Sequence, residues 1–186
     1  MRRYELEDND VDEDFLSESD NQERDTPKNS KAHFESTYTL KPNEKYEANQ
    51  YRYETDRYGR ITQCEGTLRL EDGKRNTDHQ TRAGGEYRLE KDEGGHLIGK
   101  RFGGSEKLDN IVAMDYDVNH GEYLDIENDW AEELADKNQV DVKITCLYEG
   151  ESTRPSAFIV KYRVTYKDGS TRIENKTIPN TKSGGS

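Results

Sequence analysis

The chain has 186 residues, enough for one domain with a substantial core and short for two. Only 29% of its residues are hydrophobic and 37% are charged, with a formal net charge of −12. No apolar run is long enough to cross a bilayer as a helix, and no signal-peptide core lies near Met1, so the expectation is a soluble chain. The first 35 residues hold 12 acids against 5 bases, and the remainder 28 against 23, so most of the acidity sits in the tail. An acidic balance disfavours a polyanionic partner in general. Binding follows local potential, however, and a bound divalent cation adds positive charge. An acidic chain also suits a basic partner.

Residues 1–35 read as an acidic disordered tail or linker, with Tyr4, Phe15 and Leu16 as apolar anchors. Residues 36–180 read as one folded domain with order beginning near Tyr38, and 181–186 as a flexible C-terminal tail. Within the domain, Gln50 to Thr55 alternates as a strand, Asp56 to Gly59 makes a turn, and Arg60 to Leu70 alternates again, giving a hairpin. Asp72-Gly73 marks a turn and 74–86 a loop. A short apolar strand follows, flanked by two Gly-Gly pairs, then an irregular stretch over 105–118 with an apolar segment at Ile111 to Met114. Asn119 to Asn138 carries Tyr123, Ile126, Trp130 and Leu134 at near-helical spacing and predicts one helix. Val140 to Tyr148, Phe158 to Tyr166 and Thr171 to Ile178 read as strands, the last two joined at Asp168-Gly169. Strands, a glycine-rich loop, a helix and further strands predict an α+β fold with antiparallel pairing. Cys64 and Cys146 have no metal-ligand spacing and read as core thiols, with a single disulfide left open.

The stretch from Asp92 to Trp130 carries the chemistry. His96 follows a Gly pair at the start of a short strand, an Asn-containing loop comes next, and the helix opens at Asn119 with Glu127 two turns later. Hydrolysis of a phosphodiester needs a base for water, a cation to neutralise the phosphate, and a proton for the leaving oxygen. A neutral imidazole suits the first need, and an amide oxygen with water suits a hard cation. Taken singly, the residues have plainer readings. His96 would be a loop histidine, Asn119 a helix N-cap, and Glu127 a solvated helix residue. His79 and His120 read as bystanders, and Tyr123 and Trp130 as helix-to-sheet core.

Together these residues resemble the DNA/RNA non-specific endonuclease family. The resemblance rests on Asp92-Glu93-Gly94-Gly95-His96, Asp109-Asn110-Ile111-Val112, and Asn119-His120-Gly121-Glu122-Tyr123 with Glu127. It is closest to the branch found as C-terminal toxin domains of bacterial secreted polymorphic toxins, in which the His-Leu-Ile-x-x-Arg-Phe-Gly-Gly pattern of His96 to Gly104 is typical. The entry at 51–61 and Ser152-Thr153-Arg154-Pro155 also match, so the resemblance spans roughly 40–165. Two departures stand out. Ala113-Met114 replaces a common Pro-Gln, and no Arg precedes the Gly-His.

The resemblance implies a ββα-metal (His-Me finger) site within a nuclease domain over 36–180. His96 would be the general base and Asn119 the ligand of one Mg²⁺, with Mn²⁺ as an alternative ion. Glu127 would order water beside the ion, and Asn110 would contact substrate or orient His96. Arg101 is the nearest cation for transition-state charge, with Arg75 and Arg82 in the preceding loop as others. The substrate would be DNA, and RNA as a second one, cut with little sequence preference. The resemblance further implies a protein secreted or delivered into a target cell by a route that reads no cleavable signal, with a cognate immunity protein as partner. The rival readings are a catalytically silent binding module of the same fold, which the acidity favours, and an adhesion domain built on Tyr-rich strands.

Overall fold

A computed structural model describes residues 15–16, 32–71 and 77–181. Its ten strands form three antiparallel groups. A ribbon pairs β1 (Phe34–Ser36) with β2 (Thr39–Leu40). The main sheet has six strands in the order β10-β9-β8-β5-β4-β3. These are β3 (Lys45–Ala48), β4 (Tyr51–Thr55), β5 (Ile61–Thr67), β8 (Gln139–Leu147), β9 (Ala157–Thr165) and β10 (Thr171–Pro179). A separate hairpin pairs β6 (Asp92–His96) with β7 (Ile111–Asp115), placing His96 opposite Ile111. The architecture is α+β and antiparallel throughout.

Period-2 alternation decides which sheet face is covered. Tyr51 and Tyr53 on β4, Val140 to Cys146 on β8, and Phe158 to Val164 on β9 turn their apolar side chains to one face, where they are buried. Against that face lies helix α3 (Glu122–Ala135), whose Tyr123, Ile126 and Trp130 form its buried stripe. Trp130 meets Phe102 and Tyr162 edge-on, and Tyr123 meets Phe158 in the same way. Cys64 and Cys146 are both free and buried in this core, and burial pushes the Cys146 thiol up to about 12. No helix among the described residues is long and apolar enough to cross a membrane.

The structure departs from the sequence reading in four places. Among the described residues regular structure starts at Phe34, ahead of Tyr38, and β1 to β3 are too short to carry a clear pattern. The expected loop over 74–86 holds helix α1 (Thr77–Arg82) and a 3-10 turn at Gly85–Tyr87, although 72–76, with the Asp72-Gly73 turn and Arg75, lie outside the described residues. The stretch expected to be irregular contains β7, all five of whose residues are buried; a strand covered on both faces reads as an apolar run, not as alternation. The expected single helix is two: α2 (Tyr116–Asn119), capped by Asp115 through Asp117 N–H, and α3 beyond a break at His120-Gly121. A Cβ on Gly121 would meet Asp117 O at 2.4 Å, so glycine allows the tight bend. Asn119 therefore ends a helix and does not cap one. The expected disorder of the tail falls mostly outside the described residues, as do 182–186.

Candidate active site

The segment after β6 is locked before any catalytic group is placed. Leu97 N–H donates to Asn110 O at 2.9 Å, and Leu97, Ile98 and Phe102 are buried. The Asn110 side chain uses all four of its hydrogen-bond positions inside the protein. Its oxygen accepts from Tyr53 Oη at 2.6 Å and Ile98 N at 3.0 Å, and its Nδ2 donates to Ile98 O at 2.8 Å and Ser105 O at 2.9 Å. Tyr51 Oη donates to Phe102 O, and Asn49 Nδ2 to Gly103 O at 3.1 Å. Gly103 adopts φ +77°, and a Cβ on Gly104 would lie 1.8 Å from Ile98 O. The glycines of the His96-to-Gly104 motif are thus packing requirements.

His96 stands at the end of β6 and its Nε2 lies 3.0 Å from Glu106 Oε1. An ionised carboxylate only accepts, so Nε2 carries a hydrogen in this pair. Glu106 belongs to a loop fixed around Asp109, which accepts from Ser105 Oγ at 2.6 Å and pairs with His33 Nε2 at 3.0 Å. His79 accepts from Leu108 N–H at 3.1 Å and ties α1 to the same loop.

Asn119 ends α2, and its Nδ2 donates to Glu93 Oε2 at 2.9 Å; His120 Nε2 reaches the same oxygen at 2.7 Å while its ring stacks on Tyr116. Because Glu93 must receive an N–H, the Asn119 amide is oriented with Oδ1 away from it. A cleft of about 430 Å³ borders Glu93 and is lined also by Glu90, Lys91, Asp92, Tyr116 and Asp117. No hydrogen bond joins His96 to Asn119 among the described residues; each is held by its own carboxylate.

Glu127 lies in the middle of α3, against the backbone that follows His96. A Cβ on Gly99 would sit 2.7 Å from Glu127 Oε1. Tyr123, one turn earlier, donates through Oη to Leu97 O at 2.7 Å. Burial raises the Glu127 carboxyl to about 7, and the Arg101 charge partly opposes that rise. Arg101 itself donates to Asn128 Oδ1 at 2.9 Å and lies over the Phe102 ring. Arg82 is turned elsewhere, over the Tyr38 ring at 4.5 Å.

The hairpin is pinned to the main sheet from below. Asp92, its side chain fully buried, receives Arg154 Nε at 2.7 Å and Nη2 at 3.0 Å, and Arg154 also donates to Asn180 O at 2.7 Å. Asn180 bridges Ala113 O, Pro155 O and Asp115 N. This clamp is the physical content of the Ser-Thr-Arg-Pro element. Sequence reading missed Glu93 and Glu106 as partners of the site. Glu93 lay in plain view inside the Asp-x-Gly-Gly-His pattern, whereas nothing local marks Glu106.

A β-hairpin whose first strand ends in His96, followed by helices bearing Asn119 and Glu127, is the ββα arrangement that the sequence resemblance implies. The sequence profile of the DNA/RNA non-specific endonucleases matches residues 42–166, and the chain belongs to that family. It is 40% identical over 131 residues to the Type VII secretion system protein EssD of Staphylococcus aureus, in strains USA300 and NCTC 8325 / PS 47. That match takes in 67% of this chain and 21% of EssD, so the chain spans about a fifth of the length of these relatives. Among solved structures, an extracellular endonuclease is 20% identical, covering 68% of this chain and 75% of its own, at a TM-score of 0.45. An extracellular nuclease is 19% identical, covering 75% and 85%, at 0.46. Neither overlap is close enough to argue from.

Proposed function

We propose that the domain is a Mg²⁺-dependent endonuclease that hydrolyses DNA, and RNA as a second substrate, and serves as the toxin domain of a secreted bacterial effector held in check by a cognate immunity protein. The observation that carries the catalytic reading is the pairing of His96 Nε2 with Glu106, which orients the ring and gives the proton-accepting role to Nδ1. The toxin and delivery reading is supported by the likeness to a secretion-system protein and by the sequence resemblance above.

The residues present fit a hard divalent cation. Asn119 offers an amide oxygen, oriented by Glu93, whose carboxylate adds negative charge beside it. Among the described residues no cluster of three His, Cys, Asp or Glu is placed to hold a metal, so the ion would rest on Asn119, water and substrate. When bound, such a cation neutralises charge on the phosphate. His96 takes the proton of the attacking water at Nδ1, and Glu106 stabilises the imidazolium that results. Glu127, with a carboxyl near 7, can hold or give a proton to ordered water at neutral pH. Arg101, whose charge acts on Glu127, meets charge that builds on the phosphate. Asn110 holds the backbone after His96 in place and so positions the base.

The test is cleavage of supercoiled plasmid and of a structured RNA by purified protein, with Mg²⁺, with Mn²⁺ and with EDTA. Cleavage that needs the divalent ion supports the reading. Intact substrate under every metal would favour the silent binding module.

A further inference from the structure

The main sheet has a second face, turned away from α3, with cations clustered on β8 and β9. Strand register aligns Arg52, Glu65, Lys143 and Lys161 in one row across β4, β5, β8 and β9, and Thr67, Asp141, Arg163 and Ile173 in the next. Arg52 pairs with Glu65 at 3.2 Å and Arg163 with Asp141 at 3.0 Å. Glu47 on β3 continues the first row beyond Arg52, so the two rows together hold four cations and three acids, with the cations concentrated at Lys143, Lys161 and Arg163 on β8 and β9. Glu65 and Asp141 are nonetheless buried, and so are Arg52 Nε and Nη2, which an uncovered sheet face would leave in water.

Phe15 accounts for part of this cover. It is only 3% exposed, with Lys161 Nζ 5.2 Å and Arg163 Cζ 5.0 Å from its ring centroid. Lys161 and Arg163 are two apart on β9 and so project to the same face, which makes the ring a cap over two cations. In sequence Phe15 sits in Asp12-Glu13-Asp14-Phe15-Leu16-Ser17-Glu18-Ser19-Asp20, five acids with no base. An aromatic anchor flanked by acids is complementary to a basic row with a slot for a ring.

We propose that this face is a docking surface for an acidic segment with an aromatic anchor, and that its occupant is the chain's own N-terminal segment, latched through Phe15. The latch lies on the opposite side of the sheet from α3. It therefore stands away from the β6–β7 hairpin, whose Asn110 bonds Tyr53 on the opposite face of the sheet. This inference is independent of the catalytic reading.

The test uses the full chain with Asp20→Cys carrying a nitroxide label, the two native cysteines being buried. Amide relaxation is then read across the domain. Docking predicts broadening concentrated at Lys143, Lys161 and Arg163, and its loss in the same chain with Phe15→Ala or with Lys161→Glu and Arg163→Glu. A spectrum otherwise unchanged shows that these variants still fold. Broadening that is absent, spread evenly, or unaffected by Phe15→Ala overturns the proposal. So does broadening seen only between labelled and unlabelled chains in a mixed sample, which would make the occupant a second copy.

Discussion

Glu127 gives the sharpest prediction because its burial and its charge pull in opposite directions. Its carboxyl has an ordinary value of 4.5 and stands at about 7 in the folded chain. Below 4.5 it is protonated in both folded and unfolded states and has no effect on stability. As pH rises the unfolded chain ionises first, so stability falls between about 4.5 and 7 and stays lower above that window. At 1.36 kcal/mol per pH unit, the interval from 4.5 to about 7 amounts to about 3 kcal/mol. Replacing Glu127 with the isosteric neutral Gln removes the charge and keeps the shape. Glu127→Gln should therefore be more stable than the parent at pH 8 by up to about 3 kcal/mol, roughly 6–12 °C in Tm for a domain of this size. The two proteins should converge near pH 4. Nuclease activity should fall in the same variant, the usual exchange at a strained functional group. Thermal unfolding in EDTA across pH 4 to 8 measures this without interference from cations. A variant that melts at or below the parent at pH 8 would refute the claim that Glu127 is held against its solvation preference.

Three further outcomes follow from the geometry. Arg154→Ala leaves the buried Asp92 charge without its partner and should destabilise the domain by roughly 3–5 kcal/mol, read as a shift of the urea midpoint. Asn110→Ala strands Tyr53 Oη, Ile98 N, Ile98 O and Ser105 O together, and should lower stability by at least about 3 kcal/mol by the same assay. Glu93→Ala frees the Asn119 amide to rotate and should weaken Mg²⁺ binding roughly tenfold by calorimetry, whereas Glu93→Gln, which can still accept from Nδ2, should lose less. Unchanged Mg²⁺ affinity in Glu93→Ala, alongside a loss in Asn119→Ala, would remove Glu93 from the site and leave Asn119 in it.

The long strands were legible because one of their faces is apolar and the other polar, and period 2 shows this directly at Val140 to Cys146 and Phe158 to Val164. The stripe Tyr123, Ile126, Trp130 announced α3 in the same way. β7 was hidden because both of its faces are covered, and α1 because its sequence, Thr-Asp-His-Gln-Thr-Arg, has no apolar stripe at all. The break at Gly121 was a single glycine within a helical pattern, and only its close approach to Asp117 O makes it a bend. At the site, His96, Asn119 and Glu127 stood out by resemblance, since taken singly each has a plainer reading. Their partners Glu106 and Glu93 did not, because a carboxylate that meets a side chain across a loop or a hairpin leaves no periodic trace. The basic row behind the sheet was equally silent, since register alone assembles it from four separate strands.

The measurement that bears most directly on the central claim is the single-turnover rate of plasmid cleavage in saturating Mg²⁺ for the parent and for His96→Ala, with both melting curves recorded. The account predicts a loss of roughly 10²–10⁴-fold in rate with the Tm essentially unchanged, because the proposal makes His96 the base while its ring lies outside the apolar core. A His96→Ala chain that folds and cuts at the parent's rate would contradict it.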